Sequence, residues 1–280
     1  MPTPTPPAPA SDRSVLDRHN VRVSGAGERA IVFLHGFGCD QNMWRFVAPA
    51  FEDRFRVVTF DYIGMGGTDP AAFDPAKYAS LDGFADDVLA IAEALDLNGA
   101  VLVGHSVSAM IGTIAVRRAP GRFGRLVMVA PSPRYIDEIA DDGAILYRGG
   151  FTAAQIDELL EFLDANHLGW SEAMAPTIMG NADRPELSGE LTNAFCRTDP
   201  EIAKRFARAT FLSDNRTDLA HVEVPTLVLQ CRDDVIAPDE VGVWTAAHLP
   251  DATLVRLDAT GHCPNLSAPE ETVRAIDAFV

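Results

Sequence analysis

The feature that most constrains this chain is the stretch from Ala100 to Ile114, where two apolar runs meet at a glycine, a histidine and a serine. The first run is short and β-branched and has no polar face, which is typical of a strand buried on both sides of a parallel sheet. The second run, residues 107–116, is apolar all round and ends at two arginines, which predicts a buried helix with a cationic last turn. Ser106 therefore lies on a sharp turn from strand to helix.

A turn of this kind presents one side chain at the carboxyl edge of the sheet and leaves the N–H groups of the helix start free to face an anion. Gly104, Ser106 and Ser108 follow the G-x-S-x-G pattern of a nucleophile elbow, with a serine in place of the last glycine. A serine here is also a common turn residue or helix N-cap, so the local pattern leaves both interpretations open.

Short apolar strands alternate with helices on both sides of this turn, which predicts an α/β fold with a mostly parallel, doubly wound sheet. The predicted strands are residues 15–23, 30–34, 55–60, 100–103, 125–130, 225–230 and 253–257. The predicted helices outside the region 134–216 are residues 43–51, 80–95, 107–116, 241–248 and 269–280.

The alternation stops at Pro131, and no buried-strand pattern occurs from residue 134 to about residue 216. Four amphipathic stretches in this region, 153–166, 170–178, 185–196 and 200–211, predict a helical cap over the carboxyl edge, where ligands bind in open α/β sheets. We therefore predict a disordered Pro-rich tail over residues 1–14, a core over 15–133 and 217–280, and a cap, or lid, over 134–216. Apolar side chains of the cap either line a cavity or pack the helices together. The candidate lining residues are Phe37, Phe151, Trp170, Met174, Ile178, Phe195, Phe211 and Ile236.

A serine hydroxyl is a weak nucleophile near neutral pH and needs a base within hydrogen-bond reach, which a third group then orients. Two later segments follow predicted strands and supply such groups at the same sheet edge, with Asp234 in one and His262 in the other. We predict His262 as the general base and Asp234 as its orienting carboxylate, in the chain order nucleophile, acid, histidine. Asp233 is the competing carboxylate, since both aspartates also suit a turn, and His262 has the alternative of an ordinary loop histidine.

Acyl transfer also needs donors for the oxyanion. The N–H of Val107 at the helix start is one candidate, and the loop after the strand 30–34 places the N–H of Phe37 as the other. We expect the Phe37 ring to form a cavity wall, His35 to be structural, and His105 to point away from the cavity.

Composition excludes several classes of function. The formal net charge of −17 argues against nucleic-acid and anionic-membrane partners. No apolar run approaches the roughly 20 residues that span a bilayer, and the first residues lack the pattern of a secretory signal. The four scattered cysteines indicate reduced thiols in a cytoplasmic protein. No metal-ligand cluster or phosphate-binding loop occurs, so we expect no metal and no organic cofactor.

The chain resembles the α/β-hydrolase superfamily, and within it the RsbQ-type group, which includes a bacterial energy-stress regulator and plant strigolactone and karrikin receptors. The resemblance runs from about residue 19 to the C-terminus. It is carried by residues 35–44, 60–69, 80–97, 103–107, 127–137, 229–238 and 261–272 and by the DRPEL and TDPEIA segments of the cap. It implies the triad Ser106, Asp234 and His262, the oxyanion donors Phe37 and Val107, and a four-helix cap over an apolar pocket. The group has glycine at the position of Ser108.

These observations together predict a cytoplasmic serine hydrolase that cleaves a small apolar ester or lactone through an acyl-enzyme. A signalling protein is the alternative: its triad would sense a small ligand, and its cap would bind a partner such as a stress-response phosphatase, with slow hydrolysis. Hydrolysis of a carbon–carbon bond on the same fold is a third possibility.

Overall fold

A seven-stranded sheet organises the computed structural model, which describes residues 14–280; the predicted tail up to residue 13 lies outside the described residues. The strands are β1 (Arg22–Ser24), β2 (Arg29–Leu34), β3 (Phe55–Thr59), β4 (Ala100–His105), β5 (Phe123–Val129), β6 (Glu138–Ile139), β7 (Ile145–Tyr147), β8 (Thr226–Asp233) and β9 (Ala252–Thr260). The main sheet has the order β1-β3-β2-β4-β5-β8-β9, in which only β1 pairs antiparallel. The predicted α/β fold with a mostly parallel sheet is confirmed.

Ten α-helices accompany these strands in the described part of the chain. They are α1 (Val15–Arg18), α2 (Leu81–Ala94), α3 (Val107–Arg118), α4 (Ala153–Ala165), α5 (His167–Met179), α6 (Pro185–Arg197), α7 (Pro200–Phe211), α8 (Asp239–Ala247), α9 (Pro264–Ser267) and α10 (Pro269–Asp277). None of the helices in residues 14–280 combines the length and the apolarity needed to cross a membrane.

The central strands are apolar on both faces because each face meets its own core. Along β4, Val101 and Val103 belong to one hydrophobic cluster, and Ala100 and Leu102 belong to the other. All six residues of β4 are buried as a result. A strand with two covered faces reads as a continuous apolar run, which is why the sequence pattern located these strands.

Helices α4 to α7 all fall between β5 and β8 in the chain. Their starts follow local chemistry: Thr152 and Gln155 form a capping box at α4, and Asp199 accepts hydrogen bonds from two N–H groups of α7. Proline occupies the first position of α6 and of α7, where its missing N–H costs no helical hydrogen bond.

Two local predictions differ from the structure, and one pair of strands was not predicted. The predicted strand 15–23 is wrong over its first part, because Val15–Arg18 form a helical turn that the Ser14 side chain caps. The predicted helix 43–51 is replaced by two short 3₁₀ turns, Gln41–Trp44 and Ala48–Phe51. The antiparallel pair β6–β7 was not predicted, because most of its residues are exposed and show no apolar alternation.

The order of the strands positions the site. Strands β2, β4, β5, β8 and β9 are neighbours and point the same way, so the loops that follow them meet at one edge. These loops carry the residues singled out in the sequence.

Candidate active site

Ser106 occupies the turn between β4 and α3 in a strained conformation, with φ 58° and ψ −126°. Positive φ is costly for a residue with a side chain and is held here by the surrounding hydrogen bonds. The Ser106 N–H donates to the carbonyl of Val129 at 2.8 Å, and its carbonyl accepts from the N–H of Ala109 at 2.9 Å. Although Ser106 is the N-cap residue of α3, its side chain makes no capping hydrogen bond, so the hydroxyl is available for other contacts.

The serine, the histidine and one aspartate form a continuous hydrogen-bonded chain. His262 Nε2 lies 2.7 Å from Ser106 Oγ, and His262 Nδ1 lies 2.7 Å from Asp234 Oδ2. The second carboxylate oxygen of Asp234 accepts from the N–H groups of Ile236 at 2.8 Å and Ala237 at 3.1 Å. All three members of the chain are buried. With Asp234 accepting from Nδ1–H, His262 Nε2 is the free acceptor that faces the serine hydroxyl.

The competing carboxylate, Asp233, points elsewhere. It is exposed, and its side chain contacts Arg232 at 3.3 Å. Because successive residues at the end of β8 face opposite sides, only one of the two aspartates reaches His262.

The loop that carries His262 is fastened to the end of α5. The His262 N–H donates to the carbonyl of Ile178 at 2.9 Å, and Asn181 Nδ2 donates to the carbonyl of Thr260 at 2.9 Å. A Cβ on Gly261 would lie 1.9 Å from the carbonyl oxygen of Met179, so only glycine allows this approach.

Two further buried histidines, His105 and His35, support the site through hydrogen bonds. His105 Nε2 donates to the carbonyl of His262 at 2.7 Å, and burial lowers the pKa of His105 to about 3. The expectation that His105 points away from the cavity is wrong, since it lines the cavity wall. His35 is buried and accepts from the N–H of Tyr62 at 3.1 Å, as a structural role requires.

The candidate oxyanion donors, Phe37 and Val107, follow the neighbouring strands β2 and β4. Val107 is the first residue of α3, where helix geometry leaves the N–H without an intrahelical acceptor. Phe37 follows β2, the strand next to β4, and its ring contributes to the cavity wall.

Ser108, the departure from the elbow pattern, is buried and takes part in a hydrogen-bond relay. Its Oγ donates to the carbonyl of His35 at 2.5 Å and lies 2.9 Å from the hydroxyl of Tyr62. Because the Ser108 hydrogen is used on His35, Tyr62 is the donor in the second bond. The close helix–strand contact at the elbow depends instead on Gly104, where a Cβ would lie 2.3 Å from the Ser108 carbonyl oxygen.

A mostly apolar cavity opens from the Ser106 hydroxyl toward the helices α5 to α7. The space in it that a water-sized molecule can reach has a volume of about 30 Å³. Five of the eight predicted lining residues lie in its wall, namely Phe37, Ile178, Phe195, Phe211 and Ile236. The structure adds residues that the sequence did not single out as lining, namely Cys39, Tyr135, Leu191, Thr210 and Cys263.

The other three predicted lining residues do not line the cavity, and the prediction is wrong for them. Trp170 is buried one layer behind the wall, with ring centroids 5.9 Å from Phe37 and 5.4 Å from Phe195. Phe151 is held by backbone hydrogen bonds to Tyr135 and Asp137. Met174 is only partly buried and packs against the core cluster. Helical periodicity shows that such residues face inward but does not show in which layer they lie.

The cysteines near the site are neutral thiols. Burial raises the pKa of Cys39 to about 12 and raises the pKa of Cys263 well above its usual range. Within residues 14–280, no group of three or more histidine, cysteine, aspartate or glutamate side chains is arranged to hold a metal ion.

Comparison with known proteins identifies the family of the chain. Residues 31–275 match the alpha/beta hydrolase family. The chain is 38% identical to the strigolactone esterase D14 of Arabidopsis thaliana, over 93% of this chain and 96% of that protein. It is 36% identical to the karrikin insensitive 2 receptor CA of Petunia hybrida, over 92% and 94% of the two chains. Among solved structures, the hydrolase olei00960 from Oleispira antarctica matches with a TM-score of 0.90 and 40% identity over 95% of both chains. The chain therefore belongs to the α/β-hydrolase family, as its sequence predicted.

Proposed function

We propose that this protein is a serine esterase that hydrolyses a small, mainly apolar ester or lactone. The observation that carries the proposal is the hydrogen-bonded chain from Ser106 Oγ through His262 to Asp234, with both distances 2.7 Å, at the base of an apolar cavity. Relatives named as esterases, such as strigolactone esterase D14, support ester hydrolysis. The apolar wall supports a substrate with little charge.

In the proposed reaction, Ser106 Oγ attacks the ester carbonyl while His262 Nε2 takes its proton. Asp234 holds the imidazole in the required tautomer and stabilises its charged form. The N–H groups of Phe37 and Val107 hold the oxyanion. His262 then returns the proton to the leaving alcohol, and a water molecule, activated by the same imidazole, releases the acid from Ser106. In a lactone the alcohol and the acid remain one molecule.

We also propose that residues 134–216 act as a lid over the cavity. Residues of α5, α6 and α7 contribute to the cavity wall, which supports this role. A closed apolar cavity excludes water and strengthens the oxyanion contacts.

The test uses 4-nitrophenyl butyrate for turnover and a fluorophosphonate probe for the nucleophile. We expect steady hydrolysis and one covalent adduct on Ser106 in the wild type. Both are lost in Ser106→Ala and retained in the control Ser188→Ala, whose serine lies on α6 outside the cavity wall. An adduct on another residue, or undiminished turnover in Ser106→Ala, contradicts the proposal.

A ligand-sensing role is the second candidate, favoured by the similarity to proteins named as karrikin insensitive 2 receptors. In this case, one slow turnover would accompany ligand-dependent binding of a protein partner in stress signalling. Pre-steady-state kinetics separates the two candidates: an enzyme shows continued turnover after the first equivalent of product, and a sensor shows a burst followed by almost no release.

A further inference from the structure

A threonine in the cavity wall has a hydroxyl without a hydrogen-bond partner. Thr210 lies in the last turn of α7, is 1% exposed and lines the same cavity as Ser106. Its Oγ1 is buried and makes no hydrogen bond to any other described residue. A hydroxyl removed from water without a partner opposes folding, and native structures rarely retain one without a reason.

The conformation of Thr210 differs from that of the other threonines in the α-helices of residues 14–280. A helical threonine usually satisfies its hydroxyl on the carbonyl four residues earlier. Five threonines do so here, at O···O distances of 2.7–3.4 Å: Thr113, Thr177, Thr192, Thr245 and Thr272. Thr210 does not take up this bond, although α7 continues through the carbonyl that would accept it.

Several other polar groups of the wall are engaged, although His105 Nδ1 is also buried without a partner and Tyr135 brings a second hydroxyl to the same wall. Ser106 and His262 bond each other, and His105 donates to the His262 carbonyl. The thiols of Cys39 and Cys263 are neutral and hydrogen-bond only weakly. The Thr210 hydroxyl can therefore still donate and accept a hydrogen bond, and the wall around it is mostly apolar.

We propose that Thr210 forms a polar subsite that hydrogen-bonds a second oxygen of the substrate, remote from the scissile carbonyl. This proposal rests on the proposed esterase function and narrows its substrate class to esters or lactones that carry a further carbonyl, ether or hydroxyl oxygen. A buried group built to pair with a substrate oxygen discriminates against the analogue that lacks it, since the protein hydroxyl then stays unpaired.

The test compares matched pairs of esters that differ by one oxygen. The probes are 1-naphthyl 4-oxopentanoate, 5-oxohexanoate and 6-oxoheptanoate, each with its analogue that lacks the ketone. The measured quantity is the ratio of kcat/KM for the oxo ester to kcat/KM for its analogue. For at least one chain length, we expect this ratio to fall about threefold to tenfold in Thr210→Val, mainly through KM, and to return in Thr210→Ser.

Thr192→Val is the matched control, because it removes a helical threonine hydroxyl outside the cavity wall and leaves the ratio unchanged. A second measurement excludes a purely structural role: Thr210→Val replaces an unpartnered hydroxyl with a methyl group, so its Tm without ligand stays equal or rises. The proposal is overturned if Thr210→Val has a lower Tm than the wild type, or if it leaves the kcat/KM ratio unchanged at all three chain lengths.

Failure of the proposed function is distinguishable from failure of the subsite. If the wild type hydrolyses none of the esters, the subsite is tested by binding alone in Ser106→Ala. The measured quantity is then the rise in the Tm of Ser106→Ala on adding each ester. For at least one chain length, this rise must be larger with the oxo ester than with its analogue, and adding Thr210→Val must remove the difference. The oxo esters are ethyl 4-oxopentanoate, 5-oxohexanoate and 6-oxoheptanoate. Absence of that difference overturns the subsite independently of catalysis.

Discussion

The two adjacent aspartates at the end of β8 show how burial distinguishes residues of identical chemistry. Asp234 is buried and bonded on one oxygen to His262 and on the other to two backbone N–H groups. Asp233 is exposed beside Arg232. A carboxylate with both oxygens occupied has one orientation, so it can fix the imidazole of His262 in one tautomer.

We predict that Asp234→Asn lowers kcat for 4-nitrophenyl butyrate by about 10³- to 10⁴-fold, because the amide no longer holds His262 in the tautomer that accepts the serine proton. Steady-state kinetics measures the loss. Asp233→Asn is the matched control, with an exposed side chain and the same change of charge, and it retains kcat. Comparable losses of kcat in both variants would contradict the proposed role of Asp234.

At the scale of elements, Ser108 shows how the elbow accommodates a side chain where a glycine is expected. Its hydroxyl connects α3 to the carbonyl of His35 after β2, and the hydroxyl of Tyr62 completes the relay. The relay thus joins the helix that starts after Ser106 to the loop that carries Phe37. Both hydroxyl-bearing side chains are fully buried, so each hydrogen bond replaces one to water.

We predict that Ser108→Ala lowers the free energy of unfolding by about 1–3 kcal/mol, because it leaves the Tyr62 hydroxyl and the His35 carbonyl without a partner. Adding Tyr62→Phe to this variant costs less than Tyr62→Phe costs in the wild type, since the hydroxyl that it removes is already unpaired. Urea titrations of the wild type, both single variants and the double variant measure this coupling. Purely additive effects would show that the relay does not act as a unit.

The sequence predicted the central elements because they carry strong local signals. Strands such as β4 are apolar on both faces, and α6 and α7 begin at prolines after recognisable turns. The helical turn at Val15–Arg18 was missed because four residues are too short for a periodic pattern, and its cap, Ser14, is a single residue. The β6–β7 pair was missed because its strands are two and three residues long.

The triad geometry was predicted better than the cavity wall. Strand order brings the ends of β4, β8 and β9 together, so residues just past those ends must meet. Cavity lining depends on how far each cap helix rotates, which no local pattern specifies. Trp170 consequently lies behind the wall. Thr210 lies in the wall, although its only sequence signal is its position beside Phe211.

At the scale of the whole molecule, two buried histidines couple stability to pH. Burial lowers the pKa of His105 to about 3 and also lowers the pKa of His35. In the unfolded chain a histidine has a pKa of about 6.5. Between these values the unfolded chain binds protons that the folded protein excludes, so stability is complete above about pH 6.5 and decreases as the pH falls toward 3.

We predict that the urea midpoint of the wild type decreases steadily from pH 6.5 to pH 4, and that His105→Gln shows a shallower decrease. Glutamine retains an N–H donor for the His262 carbonyl but binds no proton. One histidine contributes at most about 1.4 kcal/mol per pH unit to the slope. His221→Gln, at an exposed position, is the control and keeps the wild-type slope. Equal slopes for His105→Gln and the wild type would show that His105 does not contribute to the pH dependence of stability.

Two hydrogen bonds join the loop that carries His262 to the C-terminal end of α5 and the segment after it: the His262 N–H donates to the Ile178 carbonyl, and Asn181 Nδ2 donates to the Thr260 carbonyl. A movement of α5 away from the sheet would therefore also displace the backbone of His262, which positions its imidazole next to Ser106. We therefore expect the position of the His262 imidazole relative to Ser106 to change with any displacement of the C-terminal end of α5.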